Sequence, residues 1–355
     1  MDGSDGIIMD SRQIVLVTGA SSGIGKAAAE LFAKSGYVVY GTSRHGRYET
    51  IGPQGAAFTL LPMTLQDETT VQAAVKYVLS RHSRIDILVN AAGSGIAGAV
   101  EETSADEARE QFDVLFFGNV RVLNYVLPAM RAAGRGLVIN VGSVASFFPL
   151  PFQGMYSAAK AALFSMTCAL RVEMKPFGVK CCQIEPGDAK TNFTARRVLT
   201  KKSRNTAYGA SFLRALYEIE RSEMAGKDPA HYAEAIVKAA RMKNPPARIC
   251  PDFQYRALRV FSSILPWRAF EKVIAAMYLT KDPPHGWDLK HCIGGQQYYG
   301  RIESHHGTAQ LPCISGPSGV GRDHRSAAQS GHGRAVSDEL SAVGVSGDAG
   351  SREKG

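Results

Sequence analysis

The chain has 355 residues and a formal net charge of +9, with 45% hydrophobic and 21% charged residues. This hydrophobic fraction is ordinary for a globular protein with a packed core and excludes a largely disordered chain. Basic residues are spread along the sequence without a dense run or interleaved aromatic residues, so we expect no nucleic-acid partner. No apolar run reaches about 18 residues, so we expect no membrane-spanning helix.

The amino terminus and the cysteines bear on the cellular compartment. The first residues do not combine a basic segment with an apolar one, so the sequence predicts no secretory signal peptide. The six cysteines do not have the spacing that is typical of a metal site. We therefore expect reduced cysteines, no bound metal and a cytoplasmic location.

The first predicted elements are a strand, a glycine-rich turn and a helix. The apolar run Ile14–Val17 breaks at Gly19, and a helical sequence follows over Lys26–Lys34. Glycines in such a turn let the backbone approach a pyrophosphate, and the helix N-terminus supplies unpaired N–H groups. Five residues separate Gly19 from Gly25, whereas the P-loop pattern has four. The turn therefore favours a dinucleotide over ATP or GTP.

Apolar runs alternate with helical stretches along the rest of the first 250 residues. The predicted helices include Thr69–Ser80, Ser104–Met130 and Ser157–Pro176. Continuous apolar strands joined by helices are typical of a parallel sheet with helices on both faces. The predicted fold is therefore an α/β doubly wound parallel sheet of the Rossmann type. The strand candidates are Ile14–Val17, Tyr37–Tyr40, Phe58–Leu61, Ile85–Val89, Leu137–Val141 and Val179–Ile184.

A serine, a tyrosine and a lysine carry the predicted chemistry. Tyr156 and Lys160 lie four residues apart in a helical stretch and therefore share a helix face. A nearby cation favours the phenolate, so we expect Lys160 to lower the pKa of Tyr156 from its usual value near ~10. Ser143 follows a predicted strand, at the sheet edge where doubly wound folds bind ligands.

Five ordered motifs resemble the short-chain dehydrogenase/reductase family from about Arg12 to Cys250. They are Thr18-Gly-Ala-Ser-Ser-Gly-Ile-Gly25, Asn90-Ala-Ala-Gly93, Ser143, the Tyr156 and Lys160 pair, and Pro186-Gly187 with Thr191. The resemblance implies hydride transfer between a nicotinamide cofactor and a substrate. It also implies three catalytic residues: Tyr156 as general acid or base, Lys160 as its partner, and Ser143 bound to the substrate oxygen.

The same resemblance implies a cofactor site that spans the carboxyl edge of the sheet. Its glycine-rich turn would hold the phosphates, and Thr191 would contact the carboxamide region of the cofactor. The candidate cofactor contacts are Thr18, Gly19, Ser21, Ser22, Gly23, Ile24, Gly25, Ser43, Arg44, Asn90, Ala91, Gly93, Tyr156, Lys160, Pro186, Gly187 and Thr191.

Leu115 is the main departure from the family pattern. The family has an asparagine in the helix after the fourth strand, where this chain reads Asp113-Val-Leu-Phe-Phe-Gly118. In the family that asparagine helps to hold a water that relays protons to the lysine, which a leucine cannot do. Asn119 lies one turn further on, about 5 Å along the axis, and is a partial substitute. We expect a slower or rerouted proton relay. Thr64, where the family usually has an aspartate near the adenine, is a second departure.

The end of the second predicted strand bears on the choice of cofactor. A carboxylate there would bind the ribose 2′-hydroxyl and repel a 2′-phosphate. Ser43 occupies the acidic position, Arg44 follows it, and no Asp or Glu occurs between Tyr37 and Tyr48. An arginine can pair with a phosphate and stack on adenine. The sequence therefore predicts NADP(H) rather than NAD(H).

The predicted substrate wall is apolar and bulky, which favours a hydrophobic alcohol, aldehyde or ketone of the steroid, terpenoid, retinoid or acyl type. The overall sequence is similar to the 17β-hydroxysteroid and retinol dehydrogenase-like branch. The alternative is a non-catalytic NADP(H)-binding sensor or scaffold, which Leu115 favours and the intact catalytic residues oppose. The aromatic and leucine candidates for the wall are Phe147, Phe148, Leu150, Phe152, Phe193, Phe212 and Leu216.

Composition divides the chain into four segments: a flexible amino terminus (1–11), a catalytic domain (12–250), an amphipathic extension (251–297) and a disordered Gly- and Ser-rich tail (298–355). Apolar and basic residues interleave over Pro251–Lys281. Three interpretations remain open for that stretch: helices packed on the core, a lid over an apolar substrate, or a surface that touches a membrane.

The same family resemblance implies a homodimer or homotetramer that associates through the two long helices containing Leu115 and Lys160. The first of these helices is apolar on several faces, which is consistent with burial at a contact between subunits. The candidate contact residues are Val114, Phe116, Phe117, Val120 and Val122.

Overall fold

The computed structural model describes residues 12–284. Three predicted segments therefore lie wholly or partly outside the described residues: the flexible amino terminus (1–11), the end of the extension (285–297) and the disordered tail (298–355). The described part contains an eight-stranded sheet covered by helices on both faces. The predicted doubly wound α/β fold is thus confirmed.

The sheet is parallel except at one edge. Its strand order is β10-β8-β7-β5-β1-β2-β4-β3, and only β3 runs antiparallel to its neighbour. A separate parallel pair joins two short strands, β6 and β9. The strands are β1 (Ile14–Thr18), β2 (Val38–Ser43), β3 (Glu49–Ile51), β4 (Phe58–Pro62), β5 (Ile87–Asn90), β6 (Ile96–Ala97), β7 (Gly136–Val141), β8 (Val179–Ile184), β9 (Val198–Leu199) and β10 (Arg248–Ile249).

Two helical layers bury the two faces of the sheet. Helices α1 and α7 cover one face, and α2, α4 and α5 contribute to the apolar cluster on the other. Within residues 12–284, the helices are too short or too polar to cross a bilayer. The α-helices are α1 (Gly23–Lys34), α2 (Glu68–His82), α3 (Ala105–Phe112), α4 (Gly118–Ala132), α5 (Gly154–Glu173), α6 (Gly209–Met224), α7 (Pro229–Arg241), α8 (Phe253–Ile264) and α9 (Trp267–Tyr278).

The six predicted strands all occur, with ends that shift by up to three residues. The short strands β3, β6, β9 and β10 were not predicted, because segments of two or three residues show no periodicity. The predicted helix Ser104–Met130 is not uniform. A π-helical turn over Asp113–Phe117 separates α3 from α4. Gly118 then packs against Leu65, where an added Cβ would lie 2.7 Å from the leucine Cβ.

The order of the strands fixes where a ligand can bind. The chain builds β1, β2 and β4 in one direction and then returns to place β5 on the other side of β1. The loops after β1 and β5 therefore diverge, and they open a crevice at the carboxyl ends of these strands. Every sequence motif quoted above lies at or beside this edge.

Candidate active site

The glycine-rich turn between β1 and α1 has the geometry of a loop whose backbone approaches a phosphate group. Gly19 has a φ of +69°, and a Cβ there would lie 2.6 Å from the Cα of Ala92. A Cβ on Gly25 would lie 2.5 Å from the carbonyl oxygen of Gly19. Side chains are thus excluded at Gly19 and Gly25, and the N-terminus of α1 points its N–H groups into the crevice. These residues fit the pyrophosphate of a dinucleotide.

Thr18 and Asn90 lie behind the turn rather than in the crevice. Both side chains are fully buried, and neither lines the cleft. The Thr18 hydroxyl accepts hydrogen bonds from the backbone N–H groups of Ala91 (3.0 Å) and Ala92 (3.1 Å). The Asn90 amide donates to Asn140 Oδ1 at 2.9 Å. The geometry gives both residues a positioning role, because Thr18 joins the end of β1 to the loop after β5 and Asn90 joins the end of β5 to β7.

One continuous cleft of about 1090 Å³ runs along the carboxyl edge of the sheet. It brings together residues from both halves of the described chain, which no single motif predicts. Sixteen of the predicted site residues line it: Gly19, Ser21, Ser22, Gly23, Ile24, Gly25, Ser43, Arg44, Ala91, Gly93, Ser143, Tyr156, Lys160, Pro186, Gly187 and Thr191.

At one end of the cleft, the lining is formed by the residues that follow β2 and β4. Ser43 is buried at the end of β2, and the exposed side chains of Arg44 and His45 follow it. Thr64 does not line the cleft. Its backbone N–H donates to Thr70 Oγ1 at 3.0 Å, and Thr70 returns a hydrogen bond to the Thr64 carbonyl. The loop after β2 thus gives this end of the cleft the positive charge of Arg44 and no negative charge.

Ser143, Tyr156 and Lys160 meet in the middle of the cleft. Ser143 leaves the end of β7, and its hydroxyl hydrogen-bonds the Tyr156 phenol and accepts from the Ala145 N–H at 3.1 Å. Tyr156 and Lys160 share one face of α5, with the Lys160 Nζ 5.8 Å from the centre of the Tyr156 ring. The Nζ donates to the Val141 carbonyl at 2.8 Å. The predicted spacing thus produces a compact serine, tyrosine and lysine cluster.

Burial dominates the ionisation of this cluster. It raises the pKa of Tyr156 to about 12, although the hydrogen bond from Ser143 acts in the opposite direction. Burial also lowers the pKa of Lys160 to about 8. The expectation that Lys160 depresses the pKa of Tyr156 is therefore wrong for this structure. The desolvation of the phenolate outweighs the Ser143 hydrogen bond and the attraction of Arg197, and the same kind of burial disfavours the charge of Lys160.

Leu115 packs directly beside the catalytic cluster. It is buried in the π-helical turn and belongs to an apolar group with Ala145, Tyr156 and Ala159. Asn119, the predicted substitute, donates through its amide to the Leu115 carbonyl at 2.7 Å. The Asn119 side chain thus binds its own helix backbone and does not line the cleft. The asparagine of this chain, Asn119, thus lies one helical turn beyond the position that it has in the family. The surface beside Tyr156 is apolar instead.

The predicted apolar wall is only partly correct. Phe148, Leu150 and Phe193 line the cleft, and the Phe193 ring lies 5.7 Å from that of Tyr156. The other four candidates do not line it. Phe152, Phe212 and Leu216 pack with one another in a small separate cluster, and Phe147 packs against Phe148 and its neighbours. An aromatic residue near a strand end can face either direction, and sequence alone does not distinguish the two.

Several cleft residues were missed because they come from distant segments. Asp188 accepts a hydrogen bond from the Tyr255 hydroxyl of α8, and burial raises the pKa of the Asp188 carboxyl. Glu223 of α6 lines the cleft and pairs with the buried Arg197. Arg196 donates to Ser22 Oγ at 3.3 Å, beside the glycine-rich turn. No periodicity or motif marks these residues, so only the fold identifies them.

The arrangement suits proton and hydride chemistry on a carbonyl or alcohol group. Two hydroxyls converge on one point, a buried amine lies behind them, and a phosphate-binding loop lies nearby. Within residues 12–284, no group of three or more His, Cys, Asp or Glu side chains is arranged to hold a metal ion.

Comparison with known proteins agrees with this geometry. Residues 13–202 match the short chain dehydrogenase family. The chain is 41% identical over 237 residues to the 3-ketodihydrosphingosine reductase of Bacteroides thetaiotaomicron, covering 66% of this chain and 86% of that protein. It is 30% identical to the uncharacterized oxidoreductase YusZ of Bacillus subtilis, covering 74% of this chain and 98% of that protein. A short-chain dehydrogenase structure from Streptomyces avermitilis superposes with a TM-score of 0.63 at 29% identity, covering 75% and 98%.

Proposed function

Because the chain belongs to the short chain dehydrogenase family of oxidoreductases, we propose that it interconverts a hydrophobic ketone or aldehyde and its alcohol with NADP(H). One observation carries this proposal. Ser143, Tyr156 and Lys160 meet in a cleft that the glycine-rich phosphate loop also lines. A protein that only sensed a nucleotide would have no use for an acid–base tyrosine at this point.

The proposed roles follow from the ionisation of the cluster. The nicotinamide, when bound, supplies or accepts the hydride. Ser143 and Tyr156 hold the substrate oxygen through their hydroxyls, and Tyr156 is a neutral phenol near pH 7 because its pKa is about 12. It can therefore donate a proton to the oxygen during reduction. Lys160 lies behind the tyrosine and stabilises the phenolate that this proton transfer leaves.

The proposal of NADP(H) over NAD(H) rests on Arg44. Its side chain is exposed at the cleft end that follows β2, and Ser43 stands where a carboxylate would oppose a 2′-phosphate. A charge-assisted contact of this kind favours the phosphorylated cofactor by about 1.5–3 kcal/mol. His45, which also lines this end, adds a second nitrogen donor beside the same position.

The proposed substrate is a long-chain ketone with a nearby amino group. The Bacteroides relative is named for 3-ketodihydrosphingosine, a long-chain ketone whose amino group is on the carbon next to the carbonyl. Phe148, Leu150 and Phe193 provide an apolar wall for a chain of this kind. Asp188 and Glu223 line the same cleft and interact electrostatically with Tyr156. Since Glu223 is paired with Arg197, a substrate ammonium would thus find the Asp188 carboxylate beside the reacting carbonyl. Assignment to the 17β-hydroxysteroid and retinol dehydrogenase-like branch stays a prediction.

We also propose that the protein associates through α4 and α5 as a dimer or tetramer. Phe117, directly before α4, and Val172 on α5 expose large apolar surfaces, with 49% and 72% of their residue surface accessible. Val122, one of the predicted contact residues, is buried in the core of its own chain and is unavailable to a partner. A cytoplasmic location also stays a prediction.

The function is tested with the purified full chain and NADPH. We expect consumption of NADPH with 3-ketodihydrosphingosine, slower consumption with apolar ketones that lack the amine, and little with NADH. Tight binding of NADPH without turnover of any ketone in such a panel would contradict the proposal and favour a non-catalytic sensor.

Asp188→Asn tests the substrate class separately from the reaction. Loss of the carboxylate should weaken kcat/KM for the amino ketone by about tenfold or more, because a charge-assisted contact is removed. The N-acetylated ketone, which carries no positive charge, is the matched control and should change little. An equal loss with both ketones would assign Asp188 a structural role instead.

A further inference from the structure

Helix α8 carries an apolar stripe on the side that faces away from the protein. Phe253, Val260, Phe261 and Ile264 are exposed, with values of 78% at Phe253 and 72% at Ile264. Their spacing places them on one helix face. Trp267, which begins α9, extends the stripe and is 60% exposed. We call these five residues the apolar ridge.

The opposite side of the helix pair is already packed. Leu258 of α8 and Phe270 and Ile274 of α9 join an apolar cluster with Phe148. Tyr255 and Tyr278 point into the cleft. The helices are therefore held in place by their inner face. Of the ridge residues, Trp267 also touches this face, since its ring centre lies 5.8 Å from that of Phe270. A cluster of exposed aromatic and aliphatic side chains of this size is typical of an interaction surface.

Basic residues accompany the ridge. Between Phe253 and Lys281 the chain has five basic residues and one acidic residue, Glu271. Arg256 is exposed on α8 next to the ridge, and Arg259 is exposed on the flank of the same helix, where its charge also acts on the buried Glu185. Arg268 and Lys272 are exposed on α9. The Arg256 guanidinium lies 5.7 Å from the centre of the Phe253 ring. The surface thus combines an apolar stripe with a positive margin.

We propose that the apolar ridge docks on the surface of an anionic phospholipid bilayer. The ridge side chains enter the boundary between headgroups and acyl chains, the arginines bind lipid phosphates and carboxylates, and α8 lies flat. Each helix has 12 residues, which suits an interfacial position and is too short to span a bilayer. Trp267 belongs at such a boundary, since indole rings favour the headgroup level.

Charge favours this occupant over a second copy of the chain. In a symmetric pairing, the same surface of two molecules would meet, because such an interface is self-complementary. The exposed arginines and lysines of both copies would then approach one another with one acidic residue each in the segment to offset them. An anionic lipid surface offers the opposite charge over the whole area.

Docking would also place the cleft close to the bilayer, which is where an apolar substrate would be dissolved. Tyr255 and Tyr278 line the cleft from the same two helices that carry the ridge. A long-chain ketone could thus pass from the bilayer to the active site without crossing bulk water. This step rests on the proposed function, whereas the docking itself does not.

Vesicle binding of the purified full chain, measured by flotation without substrate or cofactor, tests the proposal. We expect binding to vesicles of phosphatidylcholine mixed with phosphatidylserine, much weaker binding to phosphatidylcholine alone, and a loss with rising salt. Arg256→Gln with Arg259→Gln should weaken binding by about 30-fold, since each charge near the surface contributes a factor of about five. Ile264→Ser with Trp267→Ser should weaken it by more than about tenfold.

Matched controls separate the surface from general effects of charge and polarity. Lys175→Gln with Lys238→Gln removes two exposed charges elsewhere, and Val100→Ser removes an apolar side chain whose 61% exposure matches the 60% of Trp267. Both should bind vesicles like the unchanged protein. The ridge variants should keep their turnover of a short water-soluble ketone, because the ridge residues do not line the cleft. That measurement distinguishes failure of docking from failure of the proposed function.

Two outcomes would overturn the proposal. One is binding to anionic vesicles that the ridge variants do not reduce. The other is a native protein that does not bind vesicles, together with ridge variants whose oligomeric state differs in size-exclusion chromatography. That result would make the ridge a contact between copies.

Discussion

The phosphate loop and the substrate end of the cleft use the chain in different ways. The loop lies within eight consecutive residues, Thr18 to Gly25, and Gly19 and Gly25 have no room for a side chain. The substrate end is built from side chains of distant segments, such as Phe148 after β7, Glu223 on α6 and Tyr255 on α8. A site built from backbone tolerates few substitutions, so it can be recognised as a motif in the sequence. A side-chain site can be varied residue by residue, which suits the part that selects a substrate.

The Tyr156→Phe variant should have the largest effect, because it removes the proton donor between the two ends of the cleft. We expect kcat to fall by about 10²- to 10⁴-fold, the usual contribution of general acid–base catalysis. NADPH affinity, measured by fluorescence titration, should change little. A variant that turns over its ketone at the original rate would remove the basis of the proposed mechanism.

Gly19→Ala tests the backbone end. Its Cβ would lie 2.6 Å from the Ala92 Cα at a φ of +69°, so we expect a loss of about 2–4 kcal/mol in the free energy of unfolding, together with weaker NADPH binding. Gly36→Ala is the matched control. It has a φ of +86° but open space around the added Cβ, so it should cost about 1–2 kcal/mol and leave NADPH affinity intact. Equal effects on binding would contradict the close fit of the loop.

Arg44→Ala tests the one side chain on which cofactor choice is proposed to depend. The affinity for NADPH should fall by about tenfold to a hundredfold, with NADH affinity almost unchanged, because only the 2′-phosphate contact is lost. Arg47→Ala, which removes an exposed arginine outside the cleft lining, is the control. If both cofactors weaken equally, Arg44 binds a part that they share.

Lys160→Met should remove activity and stabilise the fold. Burial lowers the lysine pKa from 10.5 to about 8, so near pH 7 the folded state holds a charge that burial disfavours. The gain in the free energy of unfolding at pH 7 should be about 1–3 kcal/mol, after subtraction of about 1 kcal/mol for the hydrogen bond to Val141.

The stabilisation by Lys160→Met should depend on pH. Between pH 8 and 10.5 the unfolded chain holds the lysine proton and the folded one does not, so the stability of the unchanged protein rises with pH. The advantage of the variant should therefore fade over this window in urea unfolding curves. An advantage that is constant from pH 7 to pH 10.5 would show that the lysine charge is not its cause.

Leu115→Asn should have the smallest effect. It restores an amide beside Tyr156, so we expect kcat to rise by less than about tenfold, with a shift in its pH profile, if proton relay limits the reaction. Leu115→Ala opens the same space without a polar group and is the control. An unchanged rate and pH profile in Leu115→Asn would mean that the relay does not pass through this position.

The sequence by itself determined the sheet, the phosphate loop and the catalytic trio. Each depends on a local sequence pattern. The patterns are the apolar runs of the strands, the glycines that let the backbone approach a phosphate, and the four-residue spacing that puts Tyr156 and Lys160 on one helix face. Only the tertiary structure decided the ionisation of that pair, because burial raises the pKa of Tyr156 and lowers that of Lys160. It alone brought Asp188 and Tyr255 together across 67 positions and left Phe253 and Ile264 facing outward. Desolvation and long-range contact depend on the whole fold, and no short pattern encodes them.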